Sequence, residues 1–221
     1  MENLHLNIKN KHIELDTTDK AIIKSYKYIA KGIANLFGKY CEVVVHSLEK
    51  YENAIVFIEN GHNSGRSEGA PITDLALKII NNNGFEFLKP YKSNFPNGNR
   101  CKSITIPIKN NNKLIGLLCI NLNIEISLLD FAKYIVSNDD SEHEITESYS
   151  SNIDEMMKSI LDKNIEDIIL DRLIPNQEKN KKIILKLHEA GFFQLKGSVD
   201  VLAKKLKISP HTIYSNIKKY I

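Results

Sequence analysis

Between residues 17 and 124 the apolar period of the chain switches from helical to strand-like, and this limits the fold more than any other feature. Over 17–37, Ile22, Ile23, Tyr26, Ile29, Ile33, Leu36 and Phe37 recur at near-helical spacing; Thr17 or Thr18 can cap the start and Gly38 can stop the end. The β-branched runs CEVVVHSL (41–48) and NAIVFIEN (53–60) are too short for helices and are joined by a turn-like stretch, which predicts an antiparallel hairpin. GHNSGRSEGAP (61–71) is the most Gly/Ser-rich stretch and reads as a loop. Thr73 and Asp74 open a second helix carrying Leu75, Leu77, Ile79 and Ile80. Further strands are predicted around 85–91 and over 100–108 and 113–124, with Pro107 best placed near an edge or strand end. The order describes an α+β domain with a five-stranded antiparallel sheet. Residues 128–136 read as a helix packing on that sheet or leaving it.

Charge divides the chain. Residues 180–221 hold nine lysines against Glu189 and Asp200, a net of +7, whereas 1–179 carry a net of −4. A basic C-terminal unit on a slightly acidic body points to nucleic-acid contact at one end; the alternative is a solvated lysine-rich surface. Residues 137–171 contain eleven acids and two lysines, so 137–150 reads as an acidic linker and 152–172 as a helix that Pro175 ends. Three helices follow, over 177–190, 199–206 and 210–220. The roughly 20 unbroken apolar residues that cross a bilayer occur nowhere, and the mixed-charge N-terminus lacks an apolar signal region. Cys41, Cys101 and Cys119 form no CxxC and are too few for a disulfide framework, so a reducing cytoplasm is the expected compartment.

The segment VDVLAKKLKISPHTIYSNIKKYI (199–221) carries the most specific pattern. A helix-turn-helix needs a small residue where its helices cross, here Ala203, and apolar residues flanking the turn, here Leu206 and Ile208. Ser209 stands where a cap is needed, with Pro210 at the first helical position. Ile213 and Ile217, four apart, pack back on the first helix. That leaves Ser209, His211, Thr212, Tyr214, Ser215, Lys218 and Lys219 as candidate contacts to bases and phosphates in a major groove. Lys207 departs from the glycine common at the turn, where φ is often positive. The alternative is a generic helical hairpin capping the first domain.

Residues 60–80 combine Asn60, His62, Ser64 and Arg66 in a loop that leads into a helix start. Arg66 can hold a carboxylate bidentately, while loop amides and Ser64 add donors. GxxxxGK[ST] and GxGxxG are both absent. The alternative is that Gly61, Gly65 and Gly69 make turns and Arg66 is a surface or structural ion-pair residue.

CEVVVHSL followed by AIVFIENGHNSGRSEGAPITDLAL resembles the YheO-like PAS domain of bacterial transcriptional regulators. In that family a strand of the type E-V-V-L-H-D-L precedes N-G-x-x-S-G-R-x-x-G-x-P-x-T-D. The C-terminal FFQLKGSVDVLAKKLKISPHTIYSNIKKYI is similar to the same family's closing helix-turn-helix, F-x-L-K-G-A-V followed by L-x-I-S-x-x-T-V-Y. The two blocks span most of 20–125 and 180–221. Ser47 replaces the usual Asp after His46, Ser198 the usual Ala, and Ile213 the usual Val. The resemblance implies a sensory PAS-like domain without naming what it senses.

No histidine pair has HxxxH or HExxH spacing, and Cys41 and His46 lie on opposite faces of one strand, so neither a metal nor a catalytic site is expected. Cys101 and Cys119 read as buried thiols in apolar strands. A haem-binding PAS domain would want an axial histidine on the 73–82 helix, and a flavin photosensor a reactive cysteine in a polar helix; both are absent. His46 ends its strand where it could face a PAS cavity beside Arg66, although a structural histidine is the commoner outcome. The sequence is thus read as α+β, with a PAS-like five-stranded antiparallel sheet, flanking helices and a small all-α C-terminal helix-turn-helix domain. Residues 1–136 form the sensor, 137–175 an acidic linker and connecting helix, and 176–221 the DNA-binding domain. The expected protein is a cytoplasmic transcriptional regulator, not an enzyme, with no cofactor, metal or membrane partner. Its partners are double-stranded DNA, a small anionic effector at His46, Asn60, His62, Ser64 and Arg66, and a second copy. The helices at 17–37 and 152–172 offer candidate dimer seams. The alternative is a small-molecule-binding protein or enzyme on a PAS-like fold with a non-DNA-binding tail.

Overall fold

The computed structural model describes residues 13–81, 89–136, 147 and 149–218, and the chain divides into two compact units, Met1–Asp140 and Ser141–Ile221. Helix α1 (Thr17–Phe37) starts one residue earlier than the threonines suggest. Asp16 is the cap: its carboxylate accepts the Asp19 N–H at 2.7 Å, and the Asp19 carboxylate accepts the Asp16 N–H at 3.2 Å. This reciprocal pair satisfies two donors of the first turn, which Thr17 and Thr18, already helical, are not placed to do. Asp19 is fully buried and also accepts from Asn110 at 2.8 Å and from the Lys113 ammonium at 2.6 Å. One carboxylate therefore joins the helix start to the turn between two strands far along the chain.

Five strands form one antiparallel sheet: β1 (Cys41–Ser47), β2 (Ile55–Glu59), β3 (Tyr91–Asn94), β4 (Arg100–Asn110) and β5 (Lys113–Asn123), in the spatial order β2-β1-β5-β4-β3. The third strand was expected at 85–91 and instead runs over Tyr91–Asn94; residues 82–88 lie outside the described set. Among the described residues it pairs only with Arg100–Ser103. Pro107 is accommodated inside β4 because, among the described residues, no strand flanks the sheet on that side at that point.

The sheet has two different faces. Cys41, Val43, Val45, Ile108 and Leu118 pack against Ile23, Ala30 and Ala34 of α1 and form the main apolar core. The opposite face of the same strands carries Glu42 and His46 on β1, Cys101 and Thr105 on β4, and Cys119 and Asn121 on β5. Helix α2 (Asp74–Asn81), begun by Thr73, whose hydroxyl accepts the Ala76 N–H at 3.2 Å, buries Ala76 and Ile79 against Leu48 and Leu117. Helix α3 (Leu128–Val136) buries no residue fully, but Tyr134 donates to the Asn35 carbonyl at 2.9 Å and lays its ring on Gly38. Gly38 has φ +74°, and a Cβ there would sit 2.3 Å from the ring, so only glycine serves.

The C-terminal unit is helical: α4 (Ile153–Leu170), α5 (Asn176–Glu189), α6 (Ser198–Leu206) and α7 (Pro210–Ile217). The helix expected to act as a connector is corrected here. Met157, Leu161, Ile165 and Ile168 of α4 are buried with Ile183, Leu187, Phe192, Leu202 and Ile213, so α4 belongs to the core of this unit. The 152–172 face offered as a dimer seam is thereby largely used within the chain, and of the apolar face of α1, Ile23 and Ala30 are likewise buried on the sheet. Residues 137–146, most of the expected linker, lie outside the described set.

Asp19 yields a pH prediction. Its hydrogen bonds from Lys113 and Asn110 hold its carboxyl below the ordinary aspartate value. A group whose pKa is depressed by folding stabilises the fold above its unfolded pKa, and that contribution is lost as pH falls through the folded value. Asp19→Asn should therefore lower the unfolding temperature at pH 7, with the gap to wild type narrowing between pH 5 and pH 3. Thermal unfolding followed by circular dichroism across that range checks it.

Candidate functional site

Two regions gather functional side chains, one in each unit. In the first, the loop after β2 folds over the polar face of the sheet. Asn60, in the left-handed conformation at φ 56°, donates its amide to the carbonyls of Gly38 at 2.9 Å and Cys41 at 2.8 Å. Asn63, buried, donates to the Lys39 and Asn60 carbonyls at 2.9 and 3.0 Å. Gly61 allows the loop to close on itself: Gly65 N–H reaches its carbonyl at 2.8 Å, and a Cβ on Gly61 would meet the Arg66 carbonyl oxygen at 2.5 Å. These anchors present Ser64 and Arg66 to a cavity of about 250 Å³ lined also by Glu42, His46, Thr73, Tyr91, Thr105, Cys119 and Asn121.

The cavity wall follows the strand register. Glu42 lies opposite Asn121, which lies opposite Ser103, which lies opposite Tyr91; in the next row, Val44, Cys119 and Thr105 are aligned. The Glu42 carboxylate accepts from the Asn121 amide and from the Ser64 N–H, each at 3.1 Å. Burial pushes its carboxyl above the usual value, and the hydrogen bonds from Ser64 and Asn121 and the nearby Arg66 charge partly offset that. His46 is 1% exposed, and burial together with Arg66 lowers its pKa to about 4, so the ring is neutral at physiological pH. Its Nδ1 lies 3.7 Å from the Cys119 sulfur, while its Nε2 has no hydrogen-bond partner among the described residues. Burial raises the Cys119 thiol to about 11, which unsuits it as a nucleophile. Arg66 is half-buried and donates to the Pro71 carbonyl.

Of the five residues singled out for an effector, His46, Ser64 and Arg66 share this cavity. Asn60 and His62 do not line it: the Asn60 amide holds the loop, and His62 is exposed beside Asn63. The sequence reading missed Glu42, Tyr91, Thr105 and Asn121. The available signal was the alternation itself, since Ser103 and Thr105 fall at every second position and alternate with Ile104 and Ile106. The same alternation corrects Cys101 and Cys119, which sit on the polar face with Ser93, Ser103 and Thr105 as neighbours.

In the second region, α6 and α7 form the two helices expected. Lys207 takes the left-handed conformation at the turn, with φ 55° and ψ 43°. Ser209 caps α7 by accepting the Thr212 N–H at 3.1 Å, with Pro210 at the first turn. Ile213 is completely buried, leaving His211, Thr212, Tyr214 and Lys218 exposed and Ser215 half-buried along one helix. Lys219 lies outside the described residues. Lys204 and Lys207 are exposed beside this helix, and Lys205 pairs with Asp162 at 3.8 Å. Among the described residues no group of three or more His, Cys, Asp or Glu side chains is placed to hold a metal ion. No described helix is long and apolar enough to cross a membrane.

Comparison with known proteins agrees with this division. A family model described as the YheO-like PAS domain matches residues 16–137, and one described as an HTH domain matches residues 160–218. The chain is 37% identical to an uncharacterized protein of Haemophilus influenzae over 203 residues, covering 91% of this chain and 92% of that one. It is 35% identical to the uncharacterized protein YheO of Escherichia coli over 209 residues, covering 93% and 87%. The transcriptional regulator DauR of Pseudomonas aeruginosa is 24% identical over 202 residues, covering 89% and 93%.

The loop geometry separates holding from binding. Asn60→Ala should destabilise the protein by about 2–3 kcal/mol, because alanine is strained at positive φ and two carbonyls lose a donor. Equilibrium denaturation checks this, and a loss below about 0.5 kcal/mol would show that Asn60 is not the anchor.

Proposed function

This chain belongs to the family of YheO-like PAS proteins, and from that premise we propose that it is a cytoplasmic DNA-binding transcriptional regulator whose PAS cavity takes a small anionic effector. The DNA reading rests on α7: a capped helix that buries Ile213 and exposes His211, Thr212, Tyr214 and Lys218, in a C-terminal segment rich in lysine. Short polar side chains near the N-terminus of such a helix suit base edges, and lysines at its end suit phosphates. The name of the Pseudomonas aeruginosa relative supports the same reading. One small helix-turn-helix covers too little duplex for strong specificity, so the active species is a homodimer on a two-fold site. Tyr28 and Leu36, exposed on α1, are available to its seam.

The effector reading rests on Arg66, a half-buried residue lining a cavity of about 250 Å³. That volume is below the range usual for drug-sized ligands and suits a compact metabolite. A carboxylate is the anion whose planar geometry a guanidinium fork matches. The alternative, an enzyme on this fold, finds no support in a neutral His46 and a protonated Cys119.

Two outcomes follow. Lys218→Ala and Lys219→Ala should weaken cognate and unrelated duplexes alike and reduce the salt slope of binding by about one unit each. His211→Ala, Thr212→Ala or Ser215→Ala should weaken the cognate site selectively, by about 1–3 kcal/mol per lost base contact. Fluorescence anisotropy over a salt series separates these effects, and wild-type affinities in all five variants would refute the interface. For the effector, Arg66→Lys should abolish carboxylate-induced thermal stabilisation nearly as fully as Arg66→Ala, because the fork rather than the charge is lost. An unaltered ligand response in either variant would refute the anion site.

A further inference from the structure

The inner wall of the cavity holds a hydrogen-bonding position that Arg66 does not account for. His46 lines the cavity, is 1% exposed, and has no partner for Nε2 among the described residues. Its other nitrogen faces Cys119, whose sulfur is 3.6 Å from the Thr105 hydroxyl, itself 2.9 Å from the Tyr91 hydroxyl. The ring is therefore held on one side and unsatisfied on the other, which buried polar groups rarely are. Glu42, also on this wall, accepts from the Asn121 amide on Oε1 and from the Ser64 N–H on Oε2, with the Ser64 side chain also in reach, and its lone pairs outnumber these donors.

We propose that this wall is the second half of the effector site, and that the effector is a carboxylate bearing a hydroxyl or amine substituent rather than a plain carboxylate. The inference rests on the anionic-effector reading above. A hydroxyl or ammonium donates to Glu42 and fills the vacant partner of His46, whereas an alkyl substituent leaves Nε2 unpaired and a second carboxylate sets acceptor against acceptor at Glu42. Both candidate substituents supply the same donor chemistry, and the wall does not otherwise distinguish them.

Propionate, lactate and alanine share a three-carbon skeleton and one carboxylate, and carry hydrogen, hydroxyl or ammonium at the second carbon, the last making alanine a zwitterion. Each is titrated into the full chain carrying ¹⁵N-labelled histidine, with affinity and the imidazole nitrogen resonances read by NMR. Lactate or alanine should bind about tenfold or more tightly than propionate and should move one Nε2 resonance that His46→Phe removes; which of the two binds better identifies the donor. His46→Phe, nearly equal in volume, should bring the preferred acid down to the affinity of propionate, while His46→Gln, which keeps a polar amide, should retain part of the preference. Equal binding of the three acids, or a preference that survives in His46→Phe, overturns the inner-wall position and leaves the Arg66 reading standing. Binding by none of the three overturns both.

Discussion

A strand that is buried on both sides and carries opposite chemistry on each is the constraint on which the sensor unit depends. All seven residues of β1 are buried. Cys41, Val43 and Val45 give α1 an apolar surface to cover, and Glu42 and His46 point the other way. An apolar helix face laid directly over Glu42 and His46 would orphan a carboxylate and an imidazole, each costly to desolvate. The chain covers it instead with a loop and the start of α2, leaving an interior space. The cavity is thus a consequence of the strand period and not an accident of poor packing.

The loop over that space is held by side chain-to-backbone hydrogen bonds, because its residues supply little apolar surface. Asn60 and Asn63 reach the carbonyls at the end of α1 and the start of β1, so the lid shares its anchorage with the strand that forms the floor. Positions 60 and 63 serve the geometry, and positions 64 and 66 face the interior. The C-terminal unit solves a comparable problem with one strained residue. Lys207 accepts positive φ so that Ala203, Leu202 and Ile213 can meet in the core.

Much of this was legible in the sequence, for reasons that can be located. The boundaries of α1, β1, β4 and β5 followed from a clear change of period, and α7 from a cap, a proline and two isoleucines four apart. Four features were not legible. The Asp16 cap competes with two threonines, and what decides for it is Asp19, whose partners Asn110 and Lys113 lie some ninety residues away. The place of α4 depends on whether its apolar stripe finds a surface within its own unit, which a stripe alone cannot say. Asn60 resembled a binding residue because a polar side chain in a glycine-rich loop has the same composition whether it faces a ligand or a carbonyl. Glu42 was overlooked because an acid within a β-branched run reads as a solvent-facing position.

The shortness of β3 has a bearing on how the molecule behaves among its copies. Because it stops after pairing with Arg100–Ser103, the rest of β4 presents a margin of backbone that, among the described residues, no neighbour covers. An uncovered margin of this length is a template on which a foreign strand can grow, the first step toward aggregation. Pro107 lies in the middle of it, with a ring that obstructs close approach and a nitrogen that cannot donate. The residue that looked awkward inside a strand therefore acts as a guard for colloidal stability, and its replacement by valine would be felt in shelf life before it was felt in folding.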